Sequence, residues 1–168
     1  MRLIGYSLLL SAVVLSVVAL PLTAAVGVGD KAPDFSLPSV DGKSTVRLSD
    51  CTSKPTLLVF WTAICPHCRA EAPVIQRLFV DLHGKGLNVV GVGLGERSAI
   101  SDFVAKYKFT FPAAFGAGDK GQAVITAYGL RYVPMLLVIG TDGKVKAAWS
   151  GEIEEKTIRS AIAEQGIK

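Results

Sequence analysis

Apolar and polar positions along the chain predict buried strands that alternate with amphipathic helices. Continuous apolar runs are typical of strands buried on both faces, and they occupy residues 56–61, 87–94 and 135–139. Apolar residues with helical spacing occur over residues 65–82, 98–107, 154–164 and, more briefly, 122–128. Short alternations of apolar and polar residues, typical of strands in hairpins, lie at residues 35–37, 46–48 and 144–149.

The order of these elements predicts an α/β fold with a central mixed β-sheet flanked by helices. The first two long strands are each followed by a helix, so they should pair in parallel. The last two strands are joined at Asp142-Gly143, a turn dipeptide, and should form an antiparallel hairpin. A second turn dipeptide, Asp41-Gly42, predicts a small hairpin at the N-terminal end of the domain.

The N-terminal segment differs in composition from the rest of the chain. No charged residue stands between Arg2 and Asp30, and Leu8–Leu20 is almost wholly apolar. Together with small residues near Ala25, this pattern is typical of a secretory signal peptide. The uncharged span also reaches the ~20 residues that a helix needs to cross a bilayer.

We therefore expect residues 1–28 to be a signal peptide or an N-terminal membrane anchor, followed by one domain over residues 29–168. Residues 26–34 have the glycines and proline of a linker. Either outcome predicts an exported domain, in the periplasm or on the outer face of the cytoplasmic membrane. Disulfides persist in such compartments.

Composition and charge bear on two questions, the packing of the core and binding to nucleic acid. Half of the 168 residues are apolar, which is enough for a packed core without metal or several disulfides. The formal charge of +4 is scattered along the chain, without a Lys/Arg run or interleaved aromatic residues. The sequence therefore does not predict binding to nucleic acid.

The candidate chemistry is concentrated in Cys65-Pro66-His67-Cys68, at a predicted junction of strand and helix. Two cysteines three apart at the start of a helix lie one turn apart, within reach of a disulfide. A helix N-terminus has unpaired N–H groups and a partial positive charge, which favour the thiolate that performs disulfide exchange. Pro66 suits the first helical turn, and a protonated His67 would favour the thiolate further. The pattern predicts a redox pair, with Cys65 attacking and Cys68 resolving.

The number and spacing of the cysteines argue against a metal site, a haem site and a structural disulfide. A zinc site needs about four ligands, and the chain has three Cys and two His without a second C-x-x-C. Covalent haem would need a His where Arg69 stands, and a structural disulfide more often closes a longer loop. The sequence thus favours redox chemistry without a metal or cofactor. Cys51 suits a buried or idle thiol, with cross-linking to a partner or an alternative disulfide as the other possibilities.

The segment FWTAICPHCRAEAP, residues 60–73, resembles the active-site segment of thioredoxins. It is more similar to the exported, membrane-tethered TlpA-like and ResA-like reductases, which are related to the AhpC/TSA and redoxin proteins. The resemblance extends over about residues 29–168, through GDKAPDFSLPSVDGK, KPTLLVFW, LNVVGVGLGE and YVPMLLVIGTDGKV. It implies a thioredoxin-like fold with an N-terminal β-hairpin extension.

The same resemblance implies roles for residues outside the C-x-x-C motif. Pro134 matches a proline that follows a cis peptide bond, and Val133 before it would present its backbone to a client peptide. Trp61 matches the tryptophan that covers the base of the motif. Thioredoxin places a buried aspartate where this chain has Val59. The resemblance points instead to Glu96 as a buried carboxylate that relays protons.

In functional terms the resemblance implies a disulfide reductase for exported proteins. Its client would be apocytochrome c during cytochrome c maturation, and its electrons would come from a membrane thiol carrier. A DsbA-like thiol oxidase is an alternative, because Pro66-His67 is the dipeptide of those oxidants. A peroxiredoxin-type peroxidase is another, since Thr62 fits that motif although Leu58 stands where its proline belongs. Copper delivery, a non-enzymatic role, fits poorly because the cysteines lack a third ligand.

Overall fold

The computed structural model describes residues 25–168. Residues 1–24, which form most of the expected signal peptide or membrane anchor, lie outside the described residues. Within the described range, no helix combines the length and the apolar composition that a membrane crossing requires.

Between residues 25 and 168 the chain forms seven β-strands and four α-helices. The strands are β1 (Ser36–Pro38), β2 (Thr45–Arg47), β3 (Thr56–Thr62), β4 (Asn88–Leu94), β5 (Ala113–Phe115), β6 (Met135–Ile139) and β7 (Val145–Ser150). The helices are α1 (Pro66–Leu82), α2 (Arg97–Lys106), α3 (Gly118–Ala127) and α4 (Glu155–Ala163). A short 3₁₀ turn, His83–Lys85, follows α1.

Five strands form a mixed sheet in the order β5-β4-β3-β6-β7. The central strand β3 is parallel to β4 and antiparallel to β6, and β6 pairs antiparallel with β7. The predicted parallel pair and the predicted final hairpin are thereby confirmed. The β1–β2 hairpin is present as a separate antiparallel pair. Strand β5 was not predicted, because its three residues are too few to show a periodic pattern; it extends the sheet parallel to β4.

Alternate residues of β3 contribute to two hydrophobic clusters, as the two-residue period of a strand requires. Leu57, Val59 and Trp61 belong to the first cluster, with residues of α1, α2 and α4. Leu58 and Phe60 belong to the second, with residues of α3 and the β1–β2 hairpin. Because both faces of β3 are covered, its sequence is a continuous apolar run. Packing on both faces also holds the C-terminal end of β3 in place, three residues before the C-x-x-C motif begins.

The stretch 26–34, expected to be a linker, is instead part of the domain. The Gly29 N–H donates a hydrogen bond of 2.8 Å to the carbonyl oxygen of Val145 at the start of β7. The buried Tyr128 hydroxyl donates one of 2.7 Å to the carbonyl oxygen of Pro33. Glycine and proline here shape a segment that lies along the edge of the sheet.

Candidate active site

The C-x-x-C motif lies where β3 ends and α1 begins. Cys65 is the N-cap residue of α1, with extended backbone angles (φ −72°, ψ 121°), and Pro66 opens the helix. The Cys65 Sγ accepts a hydrogen bond of 3.2 Å from the Cys68 N–H. The sulfur therefore occupies the capping position, where a negative charge is favoured. Cys65 is half-buried, so a partner can reach it.

Cys68 is in a different environment, one turn into the helix. Its side chain is buried in the first hydrophobic cluster. Burial, together with its hydrogen bond to the Cys65 sulfur, raises the pKa of Cys68 to about 12. The two cysteines are thus chemically unequal. Cys65 is the accessible sulfur at the helix terminus, and Cys68 is a thiol that holds its proton near neutral pH.

The loop before β6 faces the Cys65 sulfur. The Val133–Pro134 peptide bond is cis, and the Cys65 Sγ lies 3.4 Å from the Val133 carbonyl oxygen. Two large apolar side chains next to this contact, Ile64 and Tyr132, are exposed. The sequence-predicted residues Cys65, Val133 and Pro134 are therefore brought together, with apolar surface beside them.

Trp61 lies beneath the motif, as a buried residue at the end of β3. Its ring packs against Phe103 and Phe109, with centroids 6.0 and 5.6 Å away. The ring also covers two glycines of β4: a Cβ on Gly91 would overlap it, and one on Gly93 would come within 3.0 Å. The glycines of this strand thus leave room for the indole.

A buried carboxylate that was not among the sequence-predicted site residues lies beside Cys68. Glu71 of α1 is 2% exposed, and its Oε2 accepts a hydrogen bond of 3.2 Å from the Ile153 N–H. Burial raises the pKa of Glu71 above its usual value; the negative charge of Glu152 adds to the rise, and the Ile153 N–H opposes it. A carboxyl group in this state can exchange a proton closer to neutral pH than a solvated one.

Glu71 and Cys68 line the same small cavity, of about 10 Å³, together with Trp61 and Pro134. Within the described part of the chain, the Glu71 Oε1 and the Trp61 Nε1 are buried without a hydrogen-bond partner. The cavity therefore brings the buried Cys68 thiol together with polar atoms of Glu71 and Trp61 inside an otherwise apolar cluster. A sequence signal for Glu71 did exist, since it lies four residues before Ile75 and seven before Leu78 on the apolar face of α1.

Glu96 does not have the buried position that was expected for it. It is exposed and is the N-cap residue of α2, where its side chain makes no capping hydrogen bond. The turn after β4 begins at Gly95, with φ of 119°, and carries Glu96 to the surface. The expectation of a buried carboxylate at this position is therefore wrong, and Glu71 is the carboxylate that lines the cavity.

His67, between the two cysteines, points away from the core. Its Nδ1 lies 3.2 Å from the Glu152 Oε2 in the loop between β7 and α4, and both side chains are more than half exposed. Pro66 and His67 thus form the outer face of the motif. The pairing with Glu152 was not predicted, because the two residues are 85 positions apart.

Cys51 lies apart from this arrangement. It is half-buried and packs against the second hydrophobic cluster, whereas Cys68 belongs to the first. Burial raises the pKa of its thiol. Among residues 25–168, no three His, Cys, Asp or Glu side chains converge into a metal-ligating group.

Sequence comparison identifies a family and several named relatives. Residues 28–148 match the AhpC/TSA family. The thiol-disulfide oxidoreductase ResA of Oceanobacillus iheyensis is 34% identical over 130 residues, which cover 75% of this chain and 66% of that protein. ResA of Geobacillus thermodenitrificans is 32% identical over 139 residues, which cover 82% of this chain and 78% of that protein.

Solved structures share the fold. One described as a thiol:disulfide interchange protein DsbE from Chlorobium tepidum is 31% identical, with a TM-score of 0.75, and the match covers 84% of this chain and 99% of that one. One described as a thioredoxin from Neisseria meningitidis is 30% identical, with a TM-score of 0.71, covering 82% and 91%. The thioredoxin-like fold implied by the sequence is confirmed.

Proposed function

Since this chain belongs to the AhpC/TSA family and is a thiol–disulfide oxidoreductase of the ResA and DsbE type, we propose that Cys65 and Cys68 are its redox pair and that it reduces disulfides. Three features support the pair: the capping position of the Cys65 sulfur, the burial of Cys68, and the buried carboxylate beside Cys68. The last of these carries the proposal, because it supplies what the resolving step needs.

The reduction proceeds in two exchanges. The Cys65 thiolate attacks one sulfur of a client disulfide; the client S–S bond breaks, and the leaving thiolate takes up a proton. The deprotonated Cys68 then attacks the Cys65 Sγ, the Cys65–Cys68 disulfide forms, and the second client thiolate leaves and is protonated. Two electrons pass from the pair to the client.

Deprotonation of Cys68 is the difficult event. With a pKa of about 12, Cys68 is almost entirely a thiol near neutral pH, and a thiol is a poor nucleophile. Glu71 lines the same cavity and can accept that proton as a general base, after which it can return a proton to the departing client sulfur.

The proposed clients are exported proteins, with apocytochrome c as the specific client. The similarity to ResA-like reductases and the apolar N-terminal segment support this assignment. Electrons would reach the oxidised pair from a membrane thiol carrier, and the N-terminal segment would export the domain or anchor it in the membrane. The exposed Ile64 and Tyr132 beside Cys65 suit an extended client segment with apolar residues around its cysteine.

Trapping tests the pair and the client together. A full-length Cys68→Ala variant, expressed in an exporting bacterium that makes c-type cytochromes, should accumulate mixed disulfides at Cys65 that non-reducing electrophoresis and mass spectrometry identify. A Cys65→Ala/Cys68→Ala variant is the control. Apocytochrome c among the trapped proteins supports the client. Other exported proteins without any cytochrome would overturn that client, and the absence of reducible complexes would overturn the redox pair.

The direction of electron flow has its own measurement. A reductase needs a pair more reducing than its client disulfides, so its potential should be far below the value of about −120 mV of the oxidant DsbA. A potential near that value, measured by equilibration with glutathione, would overturn the reductase and favour the thiol oxidase.

A further inference from the structure

Three consecutive residues of the loop between β7 and α4 each contact a different part of the candidate site. The contacts join Gly151 to Pro134, Glu152 to His67, and Ile153 to Glu71. Two of the three are hydrogen bonds donated by backbone N–H groups, those of Gly151 and Ile153, so the backbone is held on both sides of Glu152. The Glu152 carboxylate lies beside the dipeptide that separates the two cysteines.

We propose that Glu152 is a positioning residue for the Cys65–Cys68 pair: its carboxylate orients His67 and places a negative charge beside it, and the pair stays more reducing than a Pro-His dipeptide alone would make it. The inference rests on the proposed function, because it requires that Cys65 and Cys68 form a reversible disulfide.

The charge next to the Cys65 sulfur affects the redox equilibrium of the pair. A cation between the two cysteines stabilises the thiolate of the reduced form, and a stabilised reduced form makes the disulfide a stronger oxidant. Glu152 Oε2 lies 3.2 Å from His67 Nδ1 and contributes one negative charge at that place. Whether the imidazole is neutral or protonated, the carboxylate lowers the net charge near Cys65 by one unit.

Other charged groups around the motif do not replace this pairing. Arg69, one residue after Cys68, donates from its Nε to the Ala63 carbonyl oxygen at 3.0 Å. Glu71 is buried on the inner face of α1 and accepts from Ile153. Glu152 is the charged group that the structure places against His67.

The size of the effect follows from exposure. The His67 and Glu152 side chains are 66% and 57% exposed, and exposed ion pairs have small energies that salt screens. We therefore expect a change of about threefold in the redox equilibrium constant, which corresponds to about 14 mV for a two-electron couple. It should become smaller at 1 M salt.

The test is a redox titration of the full-length protein with dithiothreitol, in which the protein dithiol and oxidised dithiothreitol exchange one disulfide. Glu152→Gln should shift the equilibrium about threefold toward the reduced protein, and it should speed alkylation of Cys65 by iodoacetamide below neutral pH. Glu154→Gln is the matched control: Glu154 lies two residues away, is exposed, and pairs with Lys156. It should leave both quantities unchanged.

A second background separates the direct effect of the Glu152 charge from its effect through His67. In a His67→Gln variant, Glu152 no longer has an imidazole to orient, so Glu152→Gln should shift the redox equilibrium less than it does in the wild type. Equal shifts in the two backgrounds would overturn the role of His67. If Glu152→Gln matches Glu154→Gln, the inference fails and the redox pair stands. If the wild type forms no reversible Cys65–Cys68 disulfide, the proposed function fails, and the inference fails with it.

Discussion

Glu71 lies three residues after Cys68, about one helical turn, and both side chains are buried against the same cavity of about 10 Å³. Burial is the main reason that the pKa of each group is raised. Each group therefore keeps its proton to a higher pH than it would in water. A thiol that must lose a proton is thus placed beside a carboxylate that is a stronger base than a solvated one.

The first prediction concerns the pH dependence of stability. The raised pKa of Glu71 means that the folded state binds more protons than the unfolded state between the two pKa values, so the wild type loses stability as the pH rises through that interval. Glu71→Gln removes this titration. As the pH rises from about 4 to about 8, urea unfolding should therefore show the free energy of unfolding of the variant increasing relative to that of the wild type. Parallel curves, like those expected for the exposed control Glu164→Gln, would contradict the prediction.

The second prediction concerns the resolving step. Without the Glu71 carboxylate, Cys68 has no neighbouring base in the cavity, and general-base effects are about 10²-fold or more. Glu71→Gln should therefore release clients about 100-fold more slowly while the first attack by Cys65 is nearly unchanged. Quenched-flow analysis with a disulfide peptide should show the mixed disulfide accumulating. A slower first attack with no accumulation would contradict this division of roles.

The third prediction concerns the inequality of the two cysteines. Since Cys68 has a pKa of about 12 and is 2% exposed, it should react with iodoacetamide at pH 7 at least about 100-fold more slowly than Cys65. Peptide mass spectrometry of the reduced Cys51→Ser protein measures both rates. Cys65→Ser in the same background is the control for the reactivity of Cys68 alone. Comparable rates at the two sulfurs would contradict the assignment of the nucleophile.

The fourth prediction concerns the space under Trp61. A Cβ on Gly91 would overlap the indole ring, and overpacking of this kind costs about 1–3 kcal/mol. Gly91→Ala should lower the free energy of unfolding by that amount in urea titrations. Gly84→Ala is the control, because a Cβ there meets no atom within 4 Å. Equal stabilities of the two variants would show that the ring moves aside freely.

The fifth prediction concerns the segment before β1. The buried Tyr128 hydroxyl donates to the Pro33 carbonyl oxygen at 2.7 Å, and loss of such a bond costs about 1 kcal/mol. Tyr128→Phe should reduce the free energy of unfolding by about this amount. The exposed Tyr132 supplies the control, Tyr132→Phe, which should be neutral. A neutral Tyr128→Phe would mean that the segment is held by its backbone bonds alone.

The sequence by itself determined what depends on local spacing. Apolar runs located β3, β4 and β6 because a strand covered on both faces needs apolar residues throughout. The same pattern placed Cys65 at the start of a helix, with Pro66 in the first turn. Motif similarity, which is also a local property, pointed to Val133 and Pro134.

Tertiary structure decided which acidic side chains meet the motif. Glu96 and Glu71 are both carboxylates near apolar segments, but only the packing of α1 buries one and the turn after β4 exposes the other. Ile153 and Glu152 reach Glu71 and His67 across 82 and 85 residues of chain. Contacts at such separation depend on how β7 pairs with β6 and where α4 then packs. No local pattern contains that information, so the surroundings of the two cysteines could be known only once the sheet had formed.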